Sequence, residues 1–302
     1  METMRERFTA VTTDLLAEHP RLAVVVADIS ADSFRPAAAR HPDRVINVGI
    51  REQLLISVAG GLSLTGIRPI AHTFASFLVE RPFEQIKLDL NHQAAQAGAV
   101  LVSAGASYDY SDNGRTHQSP GDVALLGTLP DWTVHVPGHP DEAERQIRAA
   151  ARGNGLVYVR LSTEANAVPL DGEPGRLTML RRGSRGTVLA VGPLADAVVD
   201  ATLGFDVTVL YAATIRPLDV ATLRNSLQTP DVVLVEPYLA GTSVPAVAEA
   251  LRDLPHRILG LGVGRRELRR YGTPAEHQSA HGLDARSLRA EIASFLRVSG
   301  SE

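Results

Sequence analysis

Short apolar runs recur along this chain between longer amphipathic stretches, and this alternation limits its fold more than any other feature. The run at 22–27 (LAVVVA) contains no polar residue, as expected of a strand buried on both faces of a parallel sheet. The stretch at 51–64 instead repeats its apolar residues at helical spacing, with Leu55, Val58 and Leu62 on one face. The alternation therefore predicts an α/β fold with mostly parallel sheets.

The same pattern assigns the other elements along the chain. Strands are predicted at 22–27, 45–48, 67–72, 99–103, 132–137 and 156–161, and then at 187–191, 206–211, 232–236 and 257–261. Helices are predicted at 4–18, 51–64, 77–91 and 141–151, then up to about 202, after Gly241, and at 285–295.

The length and one break in the pattern predict two domains. A chain of 302 residues accommodates two domains of ordinary size. The alternation stops at 169–186, where DGEPG and RRGSRG are rich in polar and turn-forming residues. We therefore expect two doubly wound α/β domains, at residues 1–170 and 187–302, joined by a linker at 171–186.

Composition argues against several classes of function. The formal net charge is −4 and the basic residues are dispersed, so nucleic acid is not expected as a partner. The absence of cysteine excludes disulfides, thiolate metal sites and a cysteine nucleophile. No run approaches the ~20 apolar residues of a membrane span, and the first ten residues lack the apolar core of a secretion signal. We expect a cytoplasmic protein with no membrane partner and no metal ligands of its own.

The segment at 47–53 (NVGIREQ) is the most informative part of the chain. A predicted strand ends there, Gly49 permits a tight turn, and Glu52 falls in the first turn of an apolar helix. This placement puts a carboxylate near the carboxyl edge of a parallel sheet, where such folds bind ligands. Position alone also fits a simpler role, in which Glu52 only favours the helix N-terminus by its charge.

Several spaced segments, taken in order, resemble the transketolase family. NVGIREQ, the stretch AGGLSLTGIRPIAHTFASFLVERPFEQIKLDL and then NGRTHQ are similar to its pyrimidine-binding domain. VLVEPYLAGTSVPAVAEAL and YGTPAEHQSAHGLD resemble, more loosely, its C-terminal domain. The resemblance covers nearly the whole chain. It implies a pyrimidine-binding domain at 1–170 and a transketolase C-terminal-type α/β domain at 187–302.

The resemblance implies that thiamine diphosphate is the cofactor. In the family, the glutamate at the position of Glu52 hydrogen-bonds N1′ of the aminopyrimidine and favours the imino tautomer, so that the cofactor deprotonates its own thiazolium. Phe77 corresponds to an aromatic residue that stacks on this ring, and Phe74 to another that lines the pocket. Asp28 corresponds to an aspartate near the thiazolium. Core packing or a strand-end cap would equally explain these three residues taken alone.

The resemblance also implies substrate contacts. His117 corresponds to a histidine that donates a hydrogen bond to the donor substrate. Asn113, Arg115 and Arg5 are candidate substrate ligands, although an aspartate is typical of the family at position 113. Other positions depart from the group that holds a substrate phosphate in the family, and of that group only Arg5 aligns. The departing positions are Asp32, Gly105 and Thr163.

The chain lacks the family's diphosphate-binding domain, whose signature is a GDG segment followed by an asparagine. The resemblance therefore implies a separate partner subunit that carries this domain and Mg²⁺, with an α2β2 assembly as the expected arrangement. We expect transfer of a two-carbon ketol unit from a ketose or ketose phosphate to an aldehyde or carrier-bound acceptor. Two alternatives remain open: the β-subunit of a 2-oxoacid-decarboxylating system, and a non-catalytic regulatory subunit.

Two further clusters are interpreted as structural. His277 and His281 are four residues apart, but no third metal ligand accompanies them. Asp141, Glu142 and Glu144 are expected at a helix N-terminus, with their charges in solvent.

Overall fold

The computed structural model describes residues 2–93, 97–170 and 172–297, so the first residue of the predicted linker and the last five residues of the predicted second domain lie outside the described residues. A first parallel sheet occupies the N-terminal half, with its strands in the order β5-β6-β4-β3-β1-β2. These strands are β1 (Leu22–Val26), β2 (Val45–Asn47), β3 (Arg68–Phe74), β4 (Ala99–Ala104), β5 (Trp132–His135) and β6 (Leu156–Arg160).

A second sheet follows, with the order β12-β11-β8-β9-β7, in which only the edge strand β7 runs antiparallel to its neighbour among the described residues. The short strand β10 follows β9 in the sequence but is not part of the second sheet, and it pairs antiparallel with β5 of the first sheet. The strands are β7 (Thr178–Arg181), β8 (Thr187–Val191), β9 (Thr208–Ala212), β10 (Thr214–Arg216), β11 (Asp231–Leu239) and β12 (Arg257–Val263).

Helices cover both sheets. Short 3₁₀ turns occur at Ser111–Asn113, Arg115–His117 and Gly192–Leu194, and π-helical segments at Ser76–Glu80 and Ile86–His92. The α-helices are α1 (Met4–Glu18), α2 (Arg35–Arg40), α3 (Glu52–Leu64), α4 (Phe83–Gln85), α5 (Asp122–Gly127), α6 (Pro140–Arg152), α7 (Ala195–Ala201), α8 (Val220–Ser226), α9 (Val244–Ala250), α10 (Pro274–Ala280) and α11 (Ala285–Leu296).

The apolar periodicity of each strand and helix determines which layer it joins. Every residue of β1 is buried, as the run of valines predicts for a strand covered on both faces. One face of the first sheet packs against α1 and α6, with Phe8 and Ile147 in that layer. On the other face, Leu55 of α3 belongs to an apolar cluster that continues to Leu189 of β8. The two sheets therefore share part of one core.

The predicted fold class is confirmed: two α/β domains, each with a mostly parallel sheet, follow one another along the chain. The predicted helix at 77–91 is divided into two π-helical segments and the short α4. Pro82 lies between them and has no N–H to donate to an α-helical ladder.

The segment at 171–186, predicted to be a linker, carries strand β7, which pairs with β9. A four-residue edge strand reading TMLR has no continuous apolar run, so the sequence pattern gave no signal for it.

Candidate active site at the carboxyl edge of the first sheet

The residues singled out from the sequence follow the carboxyl ends of neighbouring strands. Asp28 comes after β1, Glu52 after β2, Phe77 after β3 and His117 after β4. In a parallel sheet these ends lie at one edge, so four segments far apart in sequence meet there. The structure brings the predicted cofactor residues to one edge of one sheet.

Glu52 is the first residue of α3, and the residue as a whole is almost completely withdrawn from solvent, at 1% exposure. Gly49 has φ of +69°, a conformation that suits glycine, and it turns the chain from β2 into the helix. The carboxylate Oε2 lies 2.7 Å from Nη1 of Arg81. The other oxygen, Oε1, is buried and has no hydrogen-bond partner in the described structure. A buried acceptor of this kind points to a missing ligand, because unsatisfied buried polar atoms are costly.

Arg81 joins this carboxylate to a group of aromatic rings, with its Cζ 3.9 Å from the centroid of Phe77. Phe74 and Phe77 meet edge to face, with ring centroids 5.8 Å apart. The imidazole of His117 lies 4.9 Å from each of them, again tilted edge to face. Phe77 belongs to the π-helical segment Ser76–Glu80, a geometry that often occurs at functional sites. The rings form a small aromatic cluster beside Glu52.

His117 is held by its loop in a defined place. Ser76 Oγ donates to the carbonyl of Thr116 at 2.7 Å, which ties the His117 loop to the π-helical segment. Gly114 has φ of +82°, a conformation that favours glycine, and it lies close to the ring of Tyr271. Burial, together with the nearby charge of Arg81, lowers the pKa of His117. The imidazole is therefore neutral at physiological pH.

A buried ion pair contacts both ends of the same loop. Arg160, at the end of β6, places Nε 2.7 Å from a carboxylate oxygen of Asp122, and both side chains are inaccessible to solvent. Arg160 Nη2 also donates to Ser107 Oγ at 2.7 Å and to the carbonyl of Ser119 at 3.4 Å. These contacts connect the two ends of the loop that carries His117. No functional role was predicted for this pair, because an arginine ending an apolar strand has no characteristic motif.

Asn47 links two parts of the site and was missed as a functional residue. Its Oδ1 accepts from the backbone N–H of Asp28 at 3.1 Å and from that of Gly49 at 3.0 Å. Asp28 is exposed and has φ of +69°, and Ser30 has φ of +63°. Left-handed conformations at non-glycine residues are strained and concentrate at functional sites. One amide therefore holds the Asp28 turn against the turn that leads to Glu52.

Arg5 lies on a separate cavity beside the aromatic cluster. Its Nε donates to Ser30 Oγ at 3.0 Å, and Ser30 Oγ lies 2.9 Å from Nε2 of His72. His72 is fully buried, and burial lowers its pKa to about 3, so it stays neutral and holds Ser30 in place. The cavity is about 330 Å³ and is lined by Arg5, Gly105 and Thr163 among others. Three of the positions that the resemblance relates to phosphate binding line this cavity, with one cation among them.

The remaining predicted substrate residues are placed elsewhere. Arg115 donates to Glu267 at 3.0 Å and to the carbonyl of Gln118 at 2.9 Å, and it lines a different cavity, near the second sheet. Asn113 is exposed at the turn before Gly114. Asp32 pairs with Arg35 on the surface at 2.7 Å. The structure brings neither Arg115 nor Asp32 into the lining of the Arg5 cavity.

The two clusters interpreted as structural have different outcomes. His277 and His281 both stack against Tyr108, with centroid distances of 4.2 and 5.3 Å, as packing residues do. For Glu142 the prediction of a solvated charge is wrong, because its side chain is completely buried. The hydroxyl of Tyr211, from the second sheet, donates to it at 2.5 Å. The partner that buries Glu142 is 69 residues away, so the local acidic pattern could not indicate it.

The fold and the site define a class of protein: a doubly wound α/β chain with a buried carboxylate, an arginine, aromatic rings and a histidine grouped at one sheet edge. Comparison with known families is specific for residues 2–167, which match the model of the transketolase pyrimidine-binding domain. That match covers more than half of the 302 residues. The chain belongs to the transketolase family.

Curated relatives of similar length agree with this assignment. An uncharacterized 33.6 kDa protein in the fasciation locus of Rhodococcoides fascians is 53% identical, over 96% of this chain and 93% of its own length. One of the subunits of an apulose-4-phosphate transketolase from Actinobacillus succinogenes is 30% identical, over 88% of this chain and 90% of its own.

A solved structure agrees with the fold along its whole length. A split-gene transketolase, described as an inactive β4 tetramer, superposes with a TM-score of 0.84 at 29% identity and covers 99% of both chains. The chain therefore has the architecture of one component of a split transketolase, a family of thiamine-diphosphate-dependent enzymes.

The residues that the structure describes contain neither a candidate membrane span nor a candidate metal cluster. No helix among them is long and apolar enough to cross a membrane. No group of three or more histidine, aspartate or glutamate side chains within the same residues is arranged to hold a metal ion.

Proposed function

We propose that this chain is the pyrimidine-binding subunit of a two-component, thiamine-diphosphate-dependent transketolase, in which Glu52 activates the cofactor. The observation that carries the proposal is Glu52 itself. Its buried Oε1 has no hydrogen-bond partner in the described structure, and a single planar group, the Arg81 guanidinium, contacts both its other oxygen and the face of Phe77. These groups fit an aminopyrimidine, which offers a ring nitrogen to an acid and a flat face to an aromatic ring.

Glu52 and the aromatic cluster have distinct tasks in this mechanism. When bound, thiamine diphosphate supplies a nucleophilic carbon that takes up the two-carbon unit and passes it on. Glu52 shares a proton with the ring nitrogen, and burial prevents water from competing for that proton. Phe77 supports the face of the ring, and Phe74 packs against Phe77 and fixes its orientation.

His117 is the substrate ligand in this proposal. Its low pKa keeps the imidazole neutral, so it acts as a hydrogen-bond donor or acceptor rather than as a fixed cation. Thr116 Oγ1 lies 3.0 Å from Nδ1, a contact that does not involve Nε2, which is the nitrogen we assign to the substrate. In that role Nε2 can donate to a substrate hydroxyl or to an oxygen that gains negative charge during transfer.

The site is half of an active site, and a second subunit completes it. The proposed partner carries the GDG…N segment that holds the diphosphate and Mg²⁺, and an α2β2 tetramer is the proposed assembly. Ile50 and Leu54, on either side of Glu52, are 70% and 42% exposed, which is unusual for large apolar side chains and favours a covering chain there. The relative that is named as one subunit of a transketolase, and the β4 tetramer described as inactive, also support partner dependence.

The donor is proposed to be a ketose that transfers a two-carbon ketol unit. The Arg5 cavity can receive the far end of such a substrate, with one cation and the neutral groups of Gly105 and Thr163. Weak anion recognition there distinguishes this chain from family members with several cationic groups at those positions. Asn113 and Arg115, exposed near His117, can contribute only at the mouth of the pocket in the free chain.

Reconstitution tests the proposal. The chain is co-expressed with the GDG…N subunit, and donor turnover is followed with xylulose 5-phosphate, a non-phosphorylated ketose and pyruvate as parallel substrates. We expect ketose cleavage that depends on both subunits and on thiamine diphosphate. Pyruvate decarboxylation alone would replace the ketol-transfer proposal with the 2-oxoacid alternative. Full activity of the Glu52→Gln complex, with Glu144→Gln as a surface control, would overturn the assigned role of Glu52.

A further inference from the structure

Arg81 makes the two contacts that the proposed function assigns to the cofactor's aminopyrimidine. Its guanidinium lies over the face of Phe77, with Cζ 3.9 Å from the ring centroid. The same group places Nη1 2.7 Å from Oε2 of Glu52. No other group described in the structure joins the buried acid to the face of this ring.

The two groups that would make these contacts have similar shapes and bonding. A guanidinium is planar, stacks on aromatic faces and donates hydrogen bonds in its own plane. A protonated or hydrogen-bonding aminopyrimidine is also planar and presents N–H groups at its edge. The guanidinium covers the face of Phe77 on which the ring would stack, although Oε1 of Glu52 is still without a partner in the described structure. Arg81 and the cofactor ring therefore compete for the space between Phe77 and Glu52, the ring pocket.

We propose that Arg81 is an internal stand-in for the aminopyrimidine, which fills the ring pocket in the free subunit and swings out when the cofactor binds. This inference rests on the proposed function, since it takes the pocket to be the cofactor's. It assigns to Arg81 a gating role that is separate from catalysis. Arg81 stabilises the empty subunit and, by the same contacts, weakens its affinity for the ring.

The location of Arg81 suits a group that must move. Its side chain is 37% exposed, whereas that of Glu52 is 2% exposed, so the arginine can reach solvent and the acid cannot. Arg81 follows directly on the π-helical segment and precedes Pro82, where the helical ladder is interrupted. Gln53 Nε2 donates to the carbonyl of Arg81 at 3.3 Å, a contact that holds the backbone and does not involve the guanidinium.

The pairing also explains how a carboxylate stays buried without cofactor. A buried charge without a partner is strongly disfavoured, and Arg81 provides the cation. Only one carboxylate oxygen is used, because Oε1 remains without a partner in the described structure. The stand-in is therefore incomplete, as required of a group that a better-fitting ligand displaces.

A fragment experiment on the free subunit tests this inference without the partner. The probe is 4-amino-5-hydroxymethyl-2-methylpyrimidine, the ring half of thiamine, which has no diphosphate and so does not need the other subunit. Binding is measured by calorimetry and by the shift in melting temperature for wild type, Arg81→Ala and the control Arg51→Ala. Arg51 is also exposed and adjoins Glu52.

We expect the fragment to bind Arg81→Ala at least tenfold more tightly than wild type or Arg51→Ala. Guanidinium chloride at a few millimolar should stabilise Arg81→Ala alone and should compete with the fragment. In the double variant Glu52→Gln/Arg81→Ala, both effects should disappear. Equal fragment affinity in wild type and Arg81→Ala would overturn the inference.

A second variant keeps the test decisive if Arg81→Ala fails to fold. Arg81→Met retains the aliphatic contact with Phe77 but removes the charge and the donors, and it should bind the fragment more tightly than wild type. Unchanged affinity in that variant also overturns the inference. Failure of the proposed function looks different: the reconstituted complex would lack ketose cleavage whatever residue occupies position 81.

Discussion

Glu52 and Glu142 occupy equivalent places in the first domain. Each lies in the first turn of a helix that follows a strand of the same parallel sheet, Glu52 after β2 and Glu142 after β5. Each follows a short turn containing glycine, and each is buried, with 1% and 0% exposure. Local sequence and local structure are therefore alike, and the difference between the two lies in what surrounds the carboxylate.

Both carboxylate oxygens of Glu142 accept hydrogen bonds from within the chain. One oxygen accepts from the N–H of Leu170 at 2.6 Å, and the other accepts from the N–H of Gly138 at 2.8 Å and from the hydroxyl of Tyr211. Tyr211 belongs to the second sheet, so this acid fastens the two halves of the molecule together. A buried acid whose hydrogen bonds are satisfied within the chain is a structural group.

The surroundings of Glu52 are incomplete. One oxygen pairs with a half-exposed arginine and the other has no partner within the described residues. Incomplete pairing alone does not mark a ligand site, because Oδ1 of the buried Asp122 is also without a partner in the described structure. Glu52 differs from both Glu142 and Asp122 in that its cation, Arg81, is partly exposed and lies over an aromatic ring. Burial alone therefore does not distinguish a functional acid from a structural one, and the surroundings of its two oxygens must be considered with it.

The largest expected effect comes from changing Glu52. We expect Glu52→Gln to lower kcat of the reconstituted complex by a factor of about 100 or more, since it removes a proton-sharing group. The melting temperature of the free subunit should fall little, because the amide keeps the size of the side chain. The measurements are steady-state turnover at saturating cofactor and thermal unfolding. A large loss of stability with normal turnover would reverse the comparison.

Changing Glu142 should have the opposite outcome, a loss of stability without a loss of turnover. We expect Glu142→Ala to destabilise the chain by about 3–5 kcal/mol, because buried donors from both halves of the molecule lose their acceptor. Turnover per folded complex should be unchanged. Urea unfolding measures the loss, with Glu144→Ala as the control. Glu144 forms surface pairs with Arg7 and Arg148, which are worth about 1 kcal/mol or less.

Much of the fold and part of the site could be predicted from the sequence. Helix α1 at Met4–Glu18 and strand β8 at Thr187–Val191 have the predicted bounds, because each has an uninterrupted period and clear ends. Thr3 and Glu6 form the capping box that starts α1. Glu52, Phe74 and Phe77 were found because a family resemblance and a strand-end position agree on them.

Contacts made over long sequence distances could not be predicted. β10 joins the first sheet although it follows the second domain's β9, and no local pattern of three residues specifies that partner. Glu142 is buried by Tyr211 of β9, and Arg160 reaches the loop of His117 across the sheet. The Arg81 pairing was missed because an arginine after an apolar segment resembles a surface residue until its neighbours are known.

A third buried glutamate extends the comparison to the second domain and predicts a pH dependence. Burial raises the pKa of Glu236 to about 7, and only Ser243 and neighbouring backbone groups oppose this shift, without a cation. The folded state therefore holds a proton that the unfolded state releases near pH 4.5. Stability from this group is present below pH 4.5 and is lost as the pH rises towards and through 7.

We expect Glu236→Gln to remove this dependence. The free energy of unfolding of wild type relative to the variant should fall by about 2 kcal/mol between pH 5 and 8. Urea unfolding of both proteins at each pH gives the difference, in which contributions from His72 and His135 cancel. A constant difference across this range would mean that Glu236 is already ionised in the folded chain and is paired there as Glu142 is.

The smallest expected effect concerns the backbone turns next to Glu52. Asn47 is exposed and accepts from the N–H groups of Asp28 and Gly49, which connects the two turns on which Glu52 depends. We expect Asn47→Ala to cost about 1 kcal/mol or less, since water can replace an exposed acceptor. Amide exchange at Asp28 and Gly49 should nevertheless become faster, whereas exchange around Glu142 should not change. The matched control is Asn225→Ala, at an exposed position on α8. Unchanged exchange at both amides would mean that the turns hold their strained shape without Asn47. Glu52 would then be positioned by the sheet and helix α3 alone, as Glu142 is by the sheet and helix α6.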